Sequence, residues 1–343
     1  MTESAAAFAS SSLPEDLRCW VLSDGAAGAE NQGRGLAEAL GVDPAIKRLQ
    51  VRAPWRWLPP ELWANPIAAL SGEGDVLAPP WPDLVIASGR KTAAPALAVR
   101  RAGQSEAAQR RVFAVQIQDP RMPLDDFDLV VVPRHDGVLG DNVVATTGAL
   151  TRITPARLAE GRAAVAAQAS ALPAPRVAVL VGGRSRGFDV RALHGRRMGQ
   201  DLAELCARSG GSLLVTLSRR TPPDVAEALV EALSKVPAWV YRPGVDPGPN
   251  PYFGFLAWAD HVVVTRDSVT MASEAASTGT PLHIYPLGRG GRPKFARFHT
   301  ELYDLGIARP FDGTLPDWHS TPLDESRRVA GLLADRLHAA GLS

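Results

Sequence analysis

Two cysteines, Cys19 and Cys206, are all that the 343 residues contain, and both fall in apolar surroundings. Two isolated thiols exclude a disulfide framework and point to a reducing compartment. An excess of one charge is also missing: 37 Lys and Arg stand against 36 Asp and Glu, for a net charge of +1. A broad electrostatic footprint for nucleic acid or an anionic membrane is thereby excluded, while local basic loops remain open. No apolar run approaches the roughly 20 residues that cross a bilayer. The opening MTESAAAFASSSLPEDL has neither the basic nor the apolar region of a secretory leader, and residues 1–16 read as a mobile tail. The expectation is a cytoplasmic protein, with peripheral contact at the inner face of a membrane as the alternative. The first glycine-rich loop lacks G-x-G-x-x-G, and none of the four tyrosines is followed by Lys at Tyr-x-x-x-Lys spacing. Nucleotide-sugar epimerase or oxidoreductase chemistry by hydride transfer is therefore rejected. No His, Cys, Asp and Glu cluster has metal-ligand spacing, so no metal is expected.

What is present is a repeated alternation of short apolar β-branched runs with alanine-rich helical stretches. In the first half, strands are read at 18–23, 46–51, 83–87, 111–117, 128–132 and 143–146, with helices after 24–32 and after 88–92. A tryptophan-rich stretch with several prolines, holding Trp55, Trp57 and Trp63 and ending before Trp81, reads as a packed irregular connection. An acceptor-binding or membrane-touching surface is its minority reading. A helix over 154–172 stops at Pro173-Ala174-Pro175, where the domain boundary is placed. Strands then recur at 177–181, 212–217, 238–241, 262–264 and 282–285, with further helices over 190–209, 294–305 and 323–340. The fold class is α/β, two Rossmann-like doubly wound parallel sheets. The expected divisions are a first domain over 17–153, a linker helix over 154–175, a second domain over 176–300 and a helical segment over 301–343.

The most informative stretch is residues 259–287, ADHVVVTRDSVTMASEAASTGTPLHIYPL, a strand, helix and second strand in close succession. Ser268 suits an N-cap, Gly279 suits the position after the helix, and Pro281 prevents continuation. The turn 265–268 therefore lies at the carboxyl end of a parallel sheet, where free amides and the helix dipole attract phosphate. Thr270, Ser273, Glu274 and Ser277 share one helix face. That face is either solvated or turned toward a ligand, with Glu274 accepting from a ribose diol.

Two other basic tips follow strands of the same half: Gly182-Gly183-Arg184-Ser185-Arg186, and Ser218-Arg219-Arg220-Thr221. With Arg266 and Ser268 they would share one sheet edge, and a phosphate-bearing ligand between two facing domains explains the convergence better than three unrelated loops. In the first half, Gly25 and Gly28 permit close backbone approach to a ligand. Asn31 and Gln32 in the next turn, and Ser88, Arg90 and Lys91 after the third strand, face whatever binds at that edge, and with Gly25 and Gly28 they are the candidate acceptor side. Two cations in a helix's first turn oppose its dipole unless an anion or carboxylate compensates.

The motifs GAAGAENQ (25–32), SGRKTA (88–93), VVVPRHD (130–136), SRRTP (218–222) and TRDSVTMASEA (265–275) together resemble those of the mitochondrial-fission elongated-mitochondria family and its bacterial relatives. That family is itself similar to the GT-B glycosyltransferases, in which two Rossmann-like domains face each other across a cleft and the second holds a nucleotide-sugar donor. The resemblance implies that Ser268, Val269 and Thr270 form a pyrophosphate turn, that Glu274 contacts the ribose, and that Gly183, Arg184 and Arg219 surround the nucleotide. GT-B enzymes acting on cell-wall precursors often place a histidine where this chain has Ala29. A catalytic base would then have to be Glu30, Asp24 or His135, the last having an ordinary pKa suited to proton abstraction. Two functions follow from the resemblance. One is transfer of a sugar from a nucleoside-diphosphate sugar to an envelope-type acceptor, with no tightly bound cofactor. The other is a non-catalytic adaptor that recruits a protein partner, as plant relatives recruit a dynamin-type fission factor.

Overall fold

A computed structural model describes residues 13–14, 16–105, 111–185 and 187–342. Most of the expected tail over 1–16, and Arg186 of the basic tip, lie outside the described residues. The chain divides into two compact units, one of residues 1–146, 150–152 and 324–343, the other of residues 147–149 and 153–323.

The first unit is built on six parallel strands: β1 (Cys19–Ser23), β2 (Ala45–Arg48), β3 (Leu84–Ser88), β4 (Phe113–Ile117), β5 (Leu129–Pro133) and β6 (Val143–Thr146), in the order β2-β1-β3-β4-β5-β6. Helix α1 (Ala27–Ala39) carries the chain from β1 to β2, and α2 (Arg90–Gly103) from β3 to β4. The central strands are buried on both faces, which is why they read as continuous apolar runs rather than as alternations. Val21, Ile86, Val115 and Val131 pack on one face against Leu36 of α1 and Val329 and Leu333 of the C-terminal helix. Leu22, Val85, Ala114 and Val130 pack on the other against Ala93 and Leu97 of α2. Burial of each such aliphatic side chain contributes about 1.5–3 kcal/mol. With α1 and α2 on opposite faces, the strand order reverses between β1 and β3.

The tryptophan-rich connection contains two 3₁₀ turns, Trp55–Trp57 and Pro60–Leu62. Trp63 is buried against Ala69 and Ala94, and its indole N–H donates to the Leu58 carbonyl at 3.3 Å. Trp57 and Leu62 remain exposed.

The second unit opens with α3 (Pro155–Ala164) and α4 (Ala166–Ala169). A single helix is expected from the sequence here, but Val165 leaves helical geometry at φ −113° and ψ 6° with its side chain buried. The stretch expected as a linker packs against a helix of this unit over Tyr252–Trp258. Its sheet contains β7 (Arg176–Val181), β9 (Ser212–Leu217), β10 (Ala238–Tyr241), β11 (His261–Thr265), β12 (Leu282–Tyr285) and β14 (Ala308–Pro310), parallel and ordered β10-β9-β7-β11-β12-β14. The helices are α5 (Ala192–Ser209), α6 (Pro223–Ala232), α7 (Tyr252–Trp258), α8 (Val269–Ala276) and α9 (Pro293–Asp304). A two-stranded ribbon pairs β8 (Phe188–Asp189) with β13 (Arg289–Gly290). The C-terminal helix α10 (Glu325–Ala339) belongs to the first unit.

Two doubly wound parallel α/β sheets are thus present, as read from the sequence. The second has the dinucleotide-fold order 3-2-1-4-5-6, reversing between β7 and β11. The edge strand β14 went unread because three residues ending in Pro310 carry too little pattern, and proline is tolerated there only at an edge. No helix among the described residues is long and apolar enough to cross a membrane.

Candidate functional site at the sheet switch points

In open α/β sheets the crevice outside the carboxyl ends of the strands, where the order reverses, is the place a ligand reaches most backbone donors. In the second unit that point lies between the ends of β7 and β11, and a dense set of bonds ties the two ends together. The Gly182 N–H donates to Thr265 Oγ1 at 2.7 Å, and the Gly183 N–H donates to Asp267 Oδ2 at 2.9 Å. The tip after β9 joins them: Thr221 Oγ1 donates to the Gly182 carbonyl at 2.6 Å, and the Arg184 N–H donates to the Arg220 carbonyl at 3.1 Å. Both glycines are required by close approach. A Cβ on Gly182 would run into the Asp267 carboxylate, and one on Gly183 into the Arg220 carbonyl.

Around this knot the predicted residues fall as follows. Arg184, Arg219 and Arg220 are exposed at the edge, and Arg184 also reaches the Val190 carbonyl at 3.2 Å. Ser218 Oγ accepts from the Arg220 N–H at 3.0 Å, and Ser185 Oγ from the Gly187 N–H at 3.3 Å, so both hydroxyls shape their own turns. Arg266 lies over the Phe188 ring at 5.5 Å and donates to the Gly288 carbonyl at 3.0 Å. Ser268 caps α8 as expected, its Oγ accepting from the Met271 N–H at 3.3 Å, which leaves the amides of half-buried Val269 and Thr270 at the helix start. Ser268→Ala should cost about 1 kcal/mol in urea unfolding. A loss below about 0.3 kcal/mol would show that packing, not the cap, fixes this turn.

The polar face of α8 is buried at its centre, with Thr270 and Ser277 half-buried at its ends. Ser273 is buried and accepts from the Ala149 N–H at 2.9 Å. Glu274 is 5% exposed, and its Oε2 accepts from the Tyr252 hydroxyl at 2.5 Å. Burial, and secondarily the Glu274 charge, push the Tyr252 phenol well above its ordinary pKa, so it stays a proton donor to that carboxylate.

In the first unit the reversal lies between β1 and β3, and the structure brings together the loops that follow them. Lys91 Nζ and Asp24 Oδ2 pair at 3.1 Å. The carboxylate that compensates the cationic start of α2 is thus supplied by the loop after β1. Gly25 adopts φ +83°, with its N–H donating to Ser23 Oγ at 3.0 Å. Arg90 and Lys91 are exposed, Ser88 is buried at the end of β3, and Gly28 and Asn31 lie half-buried in the first turns of α1. Gln32 is buried, donating to the Gly28 carbonyl at 3.2 Å.

The candidate bases separate. Glu30 is gripped by Arg48 through two bonds of 2.9 Å and by Arg34 at 2.9 Å. The hydrogen bond from Arg48 holds its pKa below the ordinary carboxylate value, against a smaller opposing effect of burial. To act as a base Glu30 would have to give up part of this arginine grip. His135 is buried in the one-turn element Arg134–Asp136 after β5, two strands from the reversal. Asp24 alone of the three sits at the switch point.

A family model described as "Mitochondrial fission ELM1" matches residues 27–337. The chain belongs to that family. It is 34% identical over 288 residues to the mitochondrial fission protein ELM1 of Arabidopsis thaliana, a match covering 76% of this chain and 65% of the plant protein, just under two thirds of its length. It is 25% identical over 286 residues to an uncharacterized protein of Rickettsia prowazekii (strain Madrid E), covering 74% of this chain and 79% of that one. Among solved structures it is similar to Acinetobacter baumannii MurG, with a TM-score of 0.48 and 13% identity over 95% of this chain and 93% of the other. It is also similar to Neisseria meningitidis UDP-GlcNAc 2-epimerase bound to UDP-GlcNAc, with a TM-score of 0.49 and 12% identity over 94% and 99%.

Within this ELM1-family chain sequence reasoning placed Thr221, Thr265 and Asp267 on the converging tips without giving them a role, and it missed Tyr252 altogether. The one available signal was Asp267 itself, an acid wedged between a basic residue and the helix cap in the run Thr-Arg-Asp-Ser. Among the described residues no group of three or more His, Cys, Asp or Glu is placed to hold a metal ion.

Proposed function

We propose that this chain binds a nucleoside-diphosphate sugar at the β7/β11 switch point and transfers the sugar to an envelope-type acceptor held at the β1/β3 switch point. One observation carries the reading: three arginine-bearing strand tips and the capped start of α8 meet where the strand order reverses. That combination supplies cations and free helix-start amides, the two things a diphosphate needs. Arg184, Arg219 and Arg220 neutralise the diphosphate. The amides of Val269 and Thr270 donate to it, and Glu274, its direction fixed by Tyr252, accepts from the ribose. In the transfer the bond from the anomeric carbon to the diphosphate oxygen breaks, and a bond from that carbon to the acceptor oxygen forms. The acceptor proton passes to Asp24, and the diphosphate leaves with the bonding electron pair, its charge met by the arginines.

Calorimetry with UDP, ADP, GDP, CDP and TDP tests this directly. At least one should bind, and Arg219→Ala and Glu274→Ala should each weaken that binding about tenfold or more. Absence of heat from all five would remove the reading.

A second reading is that of an adaptor, and a specific observation favours it. Trp57 is 67% exposed and Leu62 60%, in the two successive 3₁₀ turns of a connection anchored by buried Trp63. An exposed aromatic and aliphatic pair of this kind suits a protein partner, or peripheral contact with a membrane. A partner captured by the wild type and by Glu274→Ala, but lost with Trp57→Ala, would select the adaptor.

A further inference from the structure

At the centre of the second switch point sits a charged group that the reading above does not use. Asp267 has a side chain with no exposed surface. Its Oδ2 accepts from the Gly183 N–H at 2.9 Å and from Arg220 Nη2 at 3.2 Å. Its Oδ1 is buried with no hydrogen-bond partner among the described residues. Both oxygens lie against the Cα of Gly182, in the space a Cβ would fill. Arg220, by contrast, keeps 43% of its side chain exposed.

A buried carboxylate beside a turn that takes a diphosphate is a contradiction unless a cation stands between them. Two anions a few ångströms apart repel, and the repulsion grows as water is excluded. Arg220 resolves it. Its planar guanidinium has five donors in fixed directions, so one edge can be spent on Asp267 while the rest face outward. An arginine held in this way has lost much of its rotamer freedom before any ligand arrives, which removes part of the entropy cost of binding. The same carboxylate ties the Gly182–Gly183 turn to the start of α8, so it orders the cation and the amide turn together.

We propose that Asp267 is a positioning residue that fixes the Arg220 guanidinium at the switch point as a contact for a diphosphate group. The proposal rests on the reading that this site takes a nucleoside diphosphate. The geometry of Arg220 can be tested without any ligand.

The probe for the first arm is inorganic pyrophosphate, titrated into the full chain. Arg220→Met should weaken its binding about tenfold, and Asp267→Asn should weaken it by a similar factor although Arg220 is still present. The double variant should bind no more weakly than Arg220→Met alone, because Asp267 acts only through that arginine. Wild-type affinity in Asp267→Asn, or losses that multiply in the double variant, would overturn the proposal. The second arm is nuclear magnetic resonance of the arginine-labelled, ligand-free protein. The wild type should show slowed rotation of the Arg220 guanidinium, and Asp267→Asn should abolish it. Equal mobility in both would overturn the positioning role. If the wild type ignores pyrophosphate while Arg220 is held, the diphosphate reading falls with the contact assigned here, and Asp267 is a structural tie. Should Asp267→Asn fail to fold, Arg220→Met changes an exposed side chain, and its unaltered pyrophosphate affinity would be enough to sink the proposal.

Discussion

Gly183→Ala is expected to lower the free energy of unfolding by about 3 kcal/mol and to abolish binding at the second switch point. The added methyl would run into the Arg220 carbonyl, an oxygen already held by the Arg184 N–H. Neither side can yield cheaply. The β7 end is pinned by Gly182 to Thr265 and by Gly183 to Asp267, and the β9 tip is pinned by Thr221 to Gly182. Forcing a methyl into such a place costs typically about 1–3 kcal/mol. Losing the bond from the Gly183 N–H to a buried carboxylate adds about 1.5–3 kcal/mol, and these two losses overlap. Because the turn carries both Arg184 and the approach to the α8 amides, its displacement removes the site along with the stability. Urea unfolding decides the matter, with Gly72→Ala as the control, since nothing lies within 4 Å of a Cβ built there. A Gly183→Ala protein within about 0.5 kcal/mol of the wild type would mean that the tips are not mutually locked.

Acidification should produce the other large effect, a loss on the order of 3 kcal/mol between pH 6.5 and pH 4. Its source is a pair of buried histidines on neighbouring strands, His261 at the start of β11 and His283 in β12, with His283 Nε2 and His261 Nδ1 3.4 Å apart. Trp318 stands against the His283 ring at 5.0 Å, and Phe311 at 6.3 Å. Burial, and then the neighbouring His261, push His283 down from its ordinary 6.5 to about 4, with Asp312 opposing and Arg309 assisting. Burial also lowers His261, against the pull of Asp317 and Asp260. A histidine whose folded pKa is depressed is protonated first in the unfolded chain. The unfolded state therefore takes up the extra proton as pH falls through 6.5, and stability declines until the folded protein is protonated near pH 4. Glu30, Asp246 and Asp312, whose pKa values are lowered in the fold, add their own losses toward the acid end of that window and below it. Urea midpoints at pH 7, 6, 5 and 4 would trace the curve. His283→Phe, which keeps a ring against Trp318, should flatten it between pH 6.5 and 5, and an unchanged slope there would assign the loss to other groups.

Much of the fold was legible because buried parallel strands leave a signal that survives without any tertiary information. Runs such as the valines of β5 and β11 are apolar on both faces and end in Gly, Ser or basic residues, so the strands and the loops after them can be located. The cap at Ser268 was legible for a similar reason: a hydroxyl accepting from an amide three residues on is local chemistry. The burial of Glu274 was not legible. Helical spacing put it among polar neighbours, whereas the phenol of Tyr252, 22 residues earlier in the chain, gives the buried carboxylate a donor. The break at Val165 was hidden in the same way, because the alanines around it favour a continuous helix and only the packing of the unit turns Val165 inward.

The amino-acid order by itself determined the two doubly wound α/β sheets, the positions of their strand ends and the family to which the chain belongs. Each of these depends on periodicity, capping and motifs that act over a few residues. The tertiary structure decided which side chains are partners. Arg48 grips Glu30, Lys91 joins Asp24, and Asp267 comes to rest between Gly183 and Arg220. Those pairings join groups 18 to 84 residues apart in the chain, and the order in which the strands lie side by side in each sheet brings them within a hydrogen bond of one another.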